Sequence, residues 1–389
     1  MRRNLVAVAR SGSRIHRLVP VPLCDRTPLG EHDPMRTREP AQIEQKPEDM
    51  RRICVCYTPD QSYLFPSFVS ALQARRFTPR DLADIVIIAF GIDPVAEVIF
   101  AEACARADIV FLTRSEADIG GAPAMLARLF LADLLPKQYD FFLYVDGDTQ
   151  IRGPLDDLLL NPVPYGMFYA AADPMTFVGD DSDRLSRTIA AHFASLGLSS
   201  VDACRYFNSG VIYAERNGWA RIGAEAWKMF SGQSGASRFP DQDVLNLVGL
   251  PHCLSMSLAW NFPVYMNSIR VLSVIRPRIV HYMSRPKPWE GAFPPWNAEA
   301  SAVYGKVASA YPETARYWRR MKRTTWFRYH LQQRYKRLHA MVTWGFGAKR
   351  RRILAYEGRL KQSQALQGAS GRDVGAVQSV LTPSVEASF

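Results

Sequence analysis

The chain has 389 residues, 48% of them hydrophobic and 22% charged, an ordinary globular composition that excludes a fibrous, low-complexity or disulfide-scaffold protein. No stretch approaches 18 consecutive apolar residues, so the sequence offers no candidate membrane span. The net charge of +11 is local: residues 314–352 carry 13 Lys or Arg and no Asp or Glu, leaving 35 basic against 37 acidic residues elsewhere, so the body of the chain need not bind a polyanion.

Residues 1–49 are rich in Arg, Pro and Glu, lack sustained periodicity, and read as a disordered extension. Their apolar piece, 5–9, is cut by Arg10 and is too short for a secretory signal, so a cytoplasmic location is expected. Six cysteines, Cys24, Cys54, Cys56, Cys104, Cys204 and Cys253, show no paired spacing and read as reduced thiols. Structure begins with a strand over 53–57, a turn at Thr58-Pro59-Asp60-Gln61, and a helix on which Phe65, Phe68, Val69 and Leu72 recur. A strand over 85–90, a helix over 94–105 and a strand over 108–112 follow. Strands alternating with helices predict an α/β fold with a parallel-dominated sheet. A helix is predicted over 122–135, closed by Pro136. Within it Arg128 stands among apolar neighbours and needs an anion, for which Asp133 and Asp140 are the nearby candidates.

That helix leads into Phe141-Phe142-Leu143-Tyr144-Val145-Asp146-Gly147-Asp148. An apolar run ending in two aspartates reads as a buried strand with paired carboxylates where it stops. Ligands of open α/β sheets bind at the carboxyl ends of the strands. Gly147 lets the backbone turn so that both side chains aim at one point. Such a pair suits a hard divalent cation, whose shell substrate phosphate oxygens complete. The alternative is a solvated acid pair, because Asp-Gly is a common turn signal. Beyond it the pattern gives a turn and short helix over 151–158, strands over 168–171, 206–213 and 278–282, and a helix over 241–247.

Five segments in this order resemble the family-8 retaining glycosyltransferases, which include glycogenin and bacterial lipopolysaccharide galactosyl- and glucosyltransferases. They are Thr58-Pro59-Asp60-Gln61-Ser62-Tyr63, Ala127-Arg128-Leu129, Asp146-Gly147-Asp148, Phe207-Asn208-Ser209-Gly210-Val211, and Asp241-Gln242-Asp243 taken with His281-Tyr282-Met283-Ser284-Arg285-Pro286-Lys287-Pro288-Trp289. The resemblance covers residues 52–290 and implies a GT-A fold, a Rossmann-like αβα sandwich with a mixed, mainly parallel sheet. It implies that Thr58, Asp60 and Tyr63 hold the uracil and ribose of a UDP-sugar, with helix capping by Asp60 or Ser62 as the alternative role. It places Arg128 near the donor sugar and diphosphate. Asp146, Asp148 and His281 become ligands of Mn²⁺ or Mg²⁺ around Gly147, and Lys287 neutralises the departing diphosphate. A satisfied core or surface histidine is the plain alternative for His281. Asn208 matches a residue that contacts the transferred sugar, a turn asparagine being the alternative. Ser284 stands where many members have a glycine that lets the backbone approach a phosphate. Gln242 and Asp241 match residues at the reacting sugar, where they would orient and support its cationic character.

The activity so implied is metal-dependent, retaining transfer of a hexose from UDP-glucose or UDP-galactose to a hydroxyl of a glycan or glycolipid. The other class is a catalytically silent sugar-nucleotide or glycan-binding adaptor recruited by its basic tail. Asp180, Asp181 and Asp183 are expected on the acceptor side. After a catalytic domain over 50–300, residues 301–360 read as a basic, aromatic helical extension. Phe327, Leu331, Tyr335, Leu338 and Val342 recur at helical spacing among Arg328, Arg334, Lys336 and Arg337, with Trp318, Trp326 and Trp344 interspersed. That composition suits an interfacial helix on the anionic inner face of the cytoplasmic membrane. Nucleic-acid binding, the less favoured partner, and docking on the chain's own domain are the rivals. Residues 361–389 read as a disordered tail.

Overall fold

The computed structural model describes residues 52–179, 183–232, 239–345 and 347–378, with side chains as far as residue 363. The expected disorder of 1–49, and the placement of Asp180 and Asp181, lie outside the described residues.

Strand β1 (Ile53–Tyr57), α1 (Leu64–Phe77), β2 (Asp84–Phe90), α2 (Pro94–Arg106) and β3 (Val110–Arg114) form the expected alternating opening. A 3-10 segment (Ala124–Phe130) and the single turn α3 (Leu131–Leu134) replace the expected helix over 122–135. The tighter 3-10 winding eclipses residues i and i+3, and it turns Met125 and Arg128 into one cleft. Then come β4 (Phe141–Val145), β5 (Thr149–Ile151), α4 (Asp156–Leu159), β6 (Phe168–Ala172), α5 (Arg184–Ser195) and α6 (Ser200–Arg205). They are followed by β7 (Phe207–Glu215), α7 (Arg216–Gly232), α8 (Pro240–Gly249), β8 (Cys253–Met256), β9 (Phe262–Pro263) and β10 (Ile279–His281). Three further helices close the described chain: α9 (Ala298–Ala310), α10 (Arg323–Gly345) and α11 (Ala348–Gln378).

The main sheet has seven strands in the order β3-β2-β1-β4-β7-β6-β8. Only β7 runs antiparallel to its neighbours, so the sheet is mixed and mainly parallel, as expected. The strand order reverses between β1 and β4, which opens a crevice at their carboxyl ends. Because β7 is reversed, its beginning rather than its end reaches that crevice. Val145 pairs with Val211, and the Asp146 amide donates to the Gly210 carbonyl at 2.8 Å. Asn208 therefore sits in a central strand, which removes the turn reading. A second sheet, β5-β10-β9, pairs His281 with Thr149, and this register sets His281 beside Asp148.

Alternation along the strands divides the core between two faces. Val55 and Tyr57 pack with Phe68 of α1 and Phe100 of α2, while Cys54 and Cys56 join Trp219 of α7 and Leu245 of α8. Burial on both faces is why these strands read as unbroken apolar runs. Cys54, Cys56, Cys104 and Cys253 are free thiols. The expectation of reduced cysteines fails at Cys204, which is disulfide-bonded and lies exposed on α6.

The extension folds onto the sheet. Tyr356 of α11 donates to the Met256 carbonyl at 2.6 Å and accepts from the Ala172 amide at 3.2 Å. Glu357 accepts from Ser257 Oγ and the Leu258 amide, each at 2.8 Å. The three tryptophans are placed differently from the apolar stripe of α10. Trp344 is buried, Trp318 stacks on Phe65 at 5.9 Å, and Trp326 stacks on His330 at 4.9 Å. By contrast Phe327, Leu331, Tyr335, Leu338 and Val342 stay exposed, between 53% and 70%. Among the described residues no helix is long and apolar enough to cross a membrane. Helix α11 continues past residue 360, so the expected disorder is corrected as far as Gln378; 379–389 lie outside the described residues.

Candidate active site

Two cavities meet at the end of β4. The first, of about 270 Å³, is lined by Thr58, Asp60 and Tyr63 after β1, by Ser67 of α1, and by Arg128 and Gly147. The second, of about 440 Å³, is lined by Asn208, Asp241, Gln242, His281 and Ser284. Arg128, Asp146 and Asp148 belong to both. Every residue expected to hold the donor, the metal or the reacting sugar, except Lys287, thus lines one cavity or the other.

Lys287 stands just behind. Its Nζ donates to Asp148 Oδ2 at 2.5 Å and to the Tyr282 carbonyl at 2.6 Å. Burial works against the Asp148 carboxylate, but Lys287 and then His281 outweigh it and hold its pKa well below the usual carboxylate range. Burial pushes Asp146 upward, opposed by Arg128 and reinforced by the negative charge of Asp148.

Arg128 finds neither Asp133 nor Asp140. Its guanidinium pairs with Asp146 Oδ1 at 3.0 Å and Asp241 Oδ2 at 3.5 Å. It also donates to the Ser209 carbonyl and hydroxyl at 3.0 Å and lies 4.9 Å over the Tyr144 ring. From the 3-10 segment it faces both cavities. Its Nε and the Ser67 Oγ are buried without a partner among the described residues, and both residues line the first cavity. Orphaned polar atoms beside a cavity fit a polar ligand.

Asp146, Asp148 and His281 offer three ligand atoms that all lie within 4.8 Å of one another. His281 Nε2 is 3.1 Å from Asp148 Oδ1 and 3.8 Å from Asp146 Oδ2. Neighbouring ligands of an octahedral cation with bonds of ~2.1 Å stand roughly 3 Å apart, so the cluster fits such an ion. The histidine is prepared for it. Asn261 Nδ2 donates to Asn208 Oδ1 at 2.8 Å, leaving Asn261 Oδ1 to accept from His281 Nδ1 at 2.8 Å. With the proton on Nδ1, the Nε2 lone pair faces the carboxylates. Space is reserved as well: a Cβ on Gly210 would fall 2.3 Å from His281 Cε1, and one on Gly147 would fall 2.2 Å from Ser67 Oγ.

Gln242 is fixed on all sides. Its Oε1 accepts from Asn208 Nδ2 at 2.9 Å and the Ser209 amide at 3.1 Å, and its Nε2 donates to Asp173 Oδ2 at 3.1 Å. Asp173, Asn261 and Ser67 are the site residues that sequence reasoning missed; Asp173 follows β6 and its burial raises its pKa. The neighbouring Asp243 points away, accepting from Tyr206 at 2.5 Å. Asp60 does not cap α1, whose N-cap is Tyr63; its Oδ1 accepts from Ser62 and the Tyr63 amide in the turn before the helix, and the residue lines the first cavity. Asp183, expected on the acceptor side, lines neither of these two cavities: it caps α5 and pairs with Lys349 at 2.8 Å.

The sheet order, the reversed β7 and the Asp-Asp-His cluster at the switch point define an α/β protein of the GT-A type with a candidate metal centre. A family model for glycosyl transferase family 8 matches residues 54–292, and the chain belongs to that family. A lipopolysaccharide 1,2-glucosyltransferase of Escherichia coli strain K12 is 26% identical over 196 residues, 48% of this chain and 53% of that protein. A second Escherichia coli protein of the same description is 28% identical over 191 residues, covering 46% and 51%. The chain thus spans about half the length of the curated relatives it matches. Among solved structures, galactosyltransferase LgtC with donor and acceptor sugar analogues matches at a TM-score of 0.53 and 19% identity, over 67% of this chain and 95% of that one. The bifunctional glycosyltransferase WbbM matches at 0.50 and 17%, over 67% and 50%. These structural matches bear on the fold.

Proposed function

We propose that the chain is a metal-dependent, retaining glycosyltransferase that moves a hexose from UDP-glucose or UDP-galactose to a hydroxyl of an envelope glycan or glycolipid. The observation that carries this reading is the Asp146-Asp148-His281 cluster at the junction of two cavities, the first suited to the nucleotide end of the donor and the second to the sugars. In the first, Tyr63 and Asp60 face the nucleoside, and Arg128 lies toward the diphosphate. Ser284 lines the second, where its hydroxyl can donate to the sugar or phosphate end of the donor.

Breaking the bond from the anomeric carbon to phosphate builds negative charge on the diphosphate and positive charge on the sugar. A bound Mn²⁺ or Mg²⁺ would supply Lewis-acid stabilisation of that leaving group. Arg128 and Lys287 add fixed positive charge in the same place. Asp241 and the fixed carbonyl of Gln242 border the sugar side, where they orient it and oppose its positive charge. An amide is a poor nucleophile, so the acceptor hydroxyl attacks from the face that the diphosphate leaves. Trapping a covalent glycosyl adduct on a carboxylate of this site would overturn that step.

The exposed stripe of α10 supports a peripheral place on an anionic membrane. At 100° per residue, Arg328 and Arg334 flank the line through Phe327, Leu331 and Tyr335, and each basic residue near such a surface contributes about 1 kcal/mol. The test of the activity is hydrolysis of UDP-glucose and UDP-galactose with and without Mn²⁺. Cation-dependent release of UDP is expected; sugar-nucleotide binding with no release under any condition would support the adaptor instead.

A further inference from the structure

The second cavity is walled on one side by a residue from outside the family-matched segment. Gln333 of α10 is 6% exposed and lines the same cavity as Gln242 and His281. Its amide Nε2 is buried and has no hydrogen-bond partner among the described residues. An unpaired buried donor costs roughly 1–3 kcal/mol, and buried polar groups in folded proteins are almost always paired. An orphan donor on a cavity wall therefore marks a place where a ligand atom can complete the pairing.

The wall around it is mostly apolar. Val264, Tyr265, Met283, Pro295 and Trp296 line the cavity on this side. Aromatic and aliphatic faces with one or two placed polar groups are the usual means of holding and orienting a small ligand. A sugar ring has both parts, C–H faces for the aromatic wall and hydroxyl oxygens for a donor.

The position on the helix is consistent with this. Two residues after Leu331, at 100° each, Gln333 lies 200° round the helix from it, so the exposed stripe and the glutamine occupy opposite faces. The first cavity, which carries Thr58, Asp60 and Tyr63, does not include Gln333. Its partner is thus a sugar group rather than the nucleoside; Asp241, Gln242 and Ser284 already serve the donor sugar in this cavity, which leaves the acceptor sugar for Gln333.

Resting on the glycosyl-transfer reading, we propose that Gln333 Nε2 donates a hydrogen bond to a hydroxyl of the acceptor sugar, so that the C-terminal extension takes part in selecting the acceptor. Donor chemistry stays with the family-matched body.

The experiment uses the full chain and the core oligosaccharide released from rough lipopolysaccharide as the probe. Wild type and Gln333→Leu, which keeps the volume and removes the donor, are compared in three readouts: oligosaccharide affinity by calorimetry, KM for oligosaccharide in transfer, and hydrolysis of the sugar nucleotide without acceptor. Gln333→Leu is expected to weaken oligosaccharide affinity and raise its KM about tenfold, the effect of one hydrogen bond, with hydrolysis unchanged. Unchanged hydrolysis also shows that the substitution has left the fold and donor site intact. Equal affinity in the two proteins overturns the proposal, as does failure of the wild type to bind the oligosaccharide. If wild type binds the probe, the variant binds it tenfold more weakly and neither protein turns over any donor, the contact stands and the glycosyl-transfer reading falls.

Discussion

Asn261 Oδ1 lies 2.8 Å from His281 Nδ1, and Asn261 can only accept there because its Nδ2 is committed to Asn208. The imidazole tautomer is thereby decided by a residue that does not touch the metal site. Replacing Asn261 by Leu frees Nδ1 to lose its proton or turn away. The affinity for Mn²⁺ is expected to fall about 10- to 100-fold, read by isothermal titration, with the secondary structure unchanged. Equal affinity in the variant would show that the histidine needs no such partner.

Gly210 is expected to tolerate no side chain. The added methyl of Gly210→Ala would overlap His281 Cε1 and Asp146 Oδ2, which lie 2.3 and 2.7 Å from its position. Both are ligand residues, so Mn²⁺ binding and turnover should be lost together while circular dichroism stays native. A variant that binds Mn²⁺ normally would mean that β7 can shift away from β10.

Lys287 neutralises Asp148 in the resting site. Lys287→Ala is expected to lower kcat on the order of 100-fold, the usual cost of one fixed donor at a developing negative charge, with a smaller rise in the donor KM. Asp148→Asn removes a ligand atom and is expected to abolish cation-dependent turnover with the fold retained, the amide oxygen still accepting from Lys287. Unchanged rates would take either residue out of the site.

Asp183 carries an acid-sensitive contribution to stability. The Lys349 ammonium, then the Ser186 amide, hold its pKa down to about 2. A carboxyl depressed in the folded state stabilises above its unfolded pKa of about 3.9, and that contribution disappears as pH falls through about 2. Its side chain is 45% exposed, so solvent screening limits the effect to below about 1 kcal/mol. Asp183→Asn keeps the helix cap and should flatten the loss of stability between about pH 4 and pH 2, measured by urea unfolding. Parallel curves for the two proteins would assign the acid limb elsewhere.

Leu331→Ser with Tyr335→Ser should reduce co-sedimentation with phosphatidylglycerol vesicles without altering hydrolysis of the sugar nucleotide. Binding that survives the double substitution but vanishes in high salt would leave the arginines and lysines alone responsible.

Much of this arrangement is legible in the sequence because it depends on strands that state their own burial. The run from Phe141 to Val145 is apolar on both faces, so its end, and the acids at that end, are visible. His281 is legible only through the resemblance to the family, whose pattern sets a histidine six residues before Lys287-Pro288-Trp289. Asn261 and Asp173 are not, because an amide or carboxylate that supports another side chain leaves no periodic or motif signal. Arg128 could be assigned a need for an anion but not its anion, since Asp146 and Asp241 are brought to it only by the fold. Gln333 was hidden for a different reason: its neighbours Leu331, Gln332 and Arg334 are exposed, and only the packing of α10 reveals that this position looks inward.

The hydrogen bonds from Tyr356 and Glu357 to residues 256–258 have a practical consequence. Strand β8 is the last in its sheet, and an uncovered last strand offers its backbone to any other chain. A version of the protein cut at residue 292 would keep every metal ligand and still lose the bonds that hold the end of that strand. Such a fragment should form insoluble assemblies on expression, and shortening the chain for crystallisation or assay is best done after Glu357.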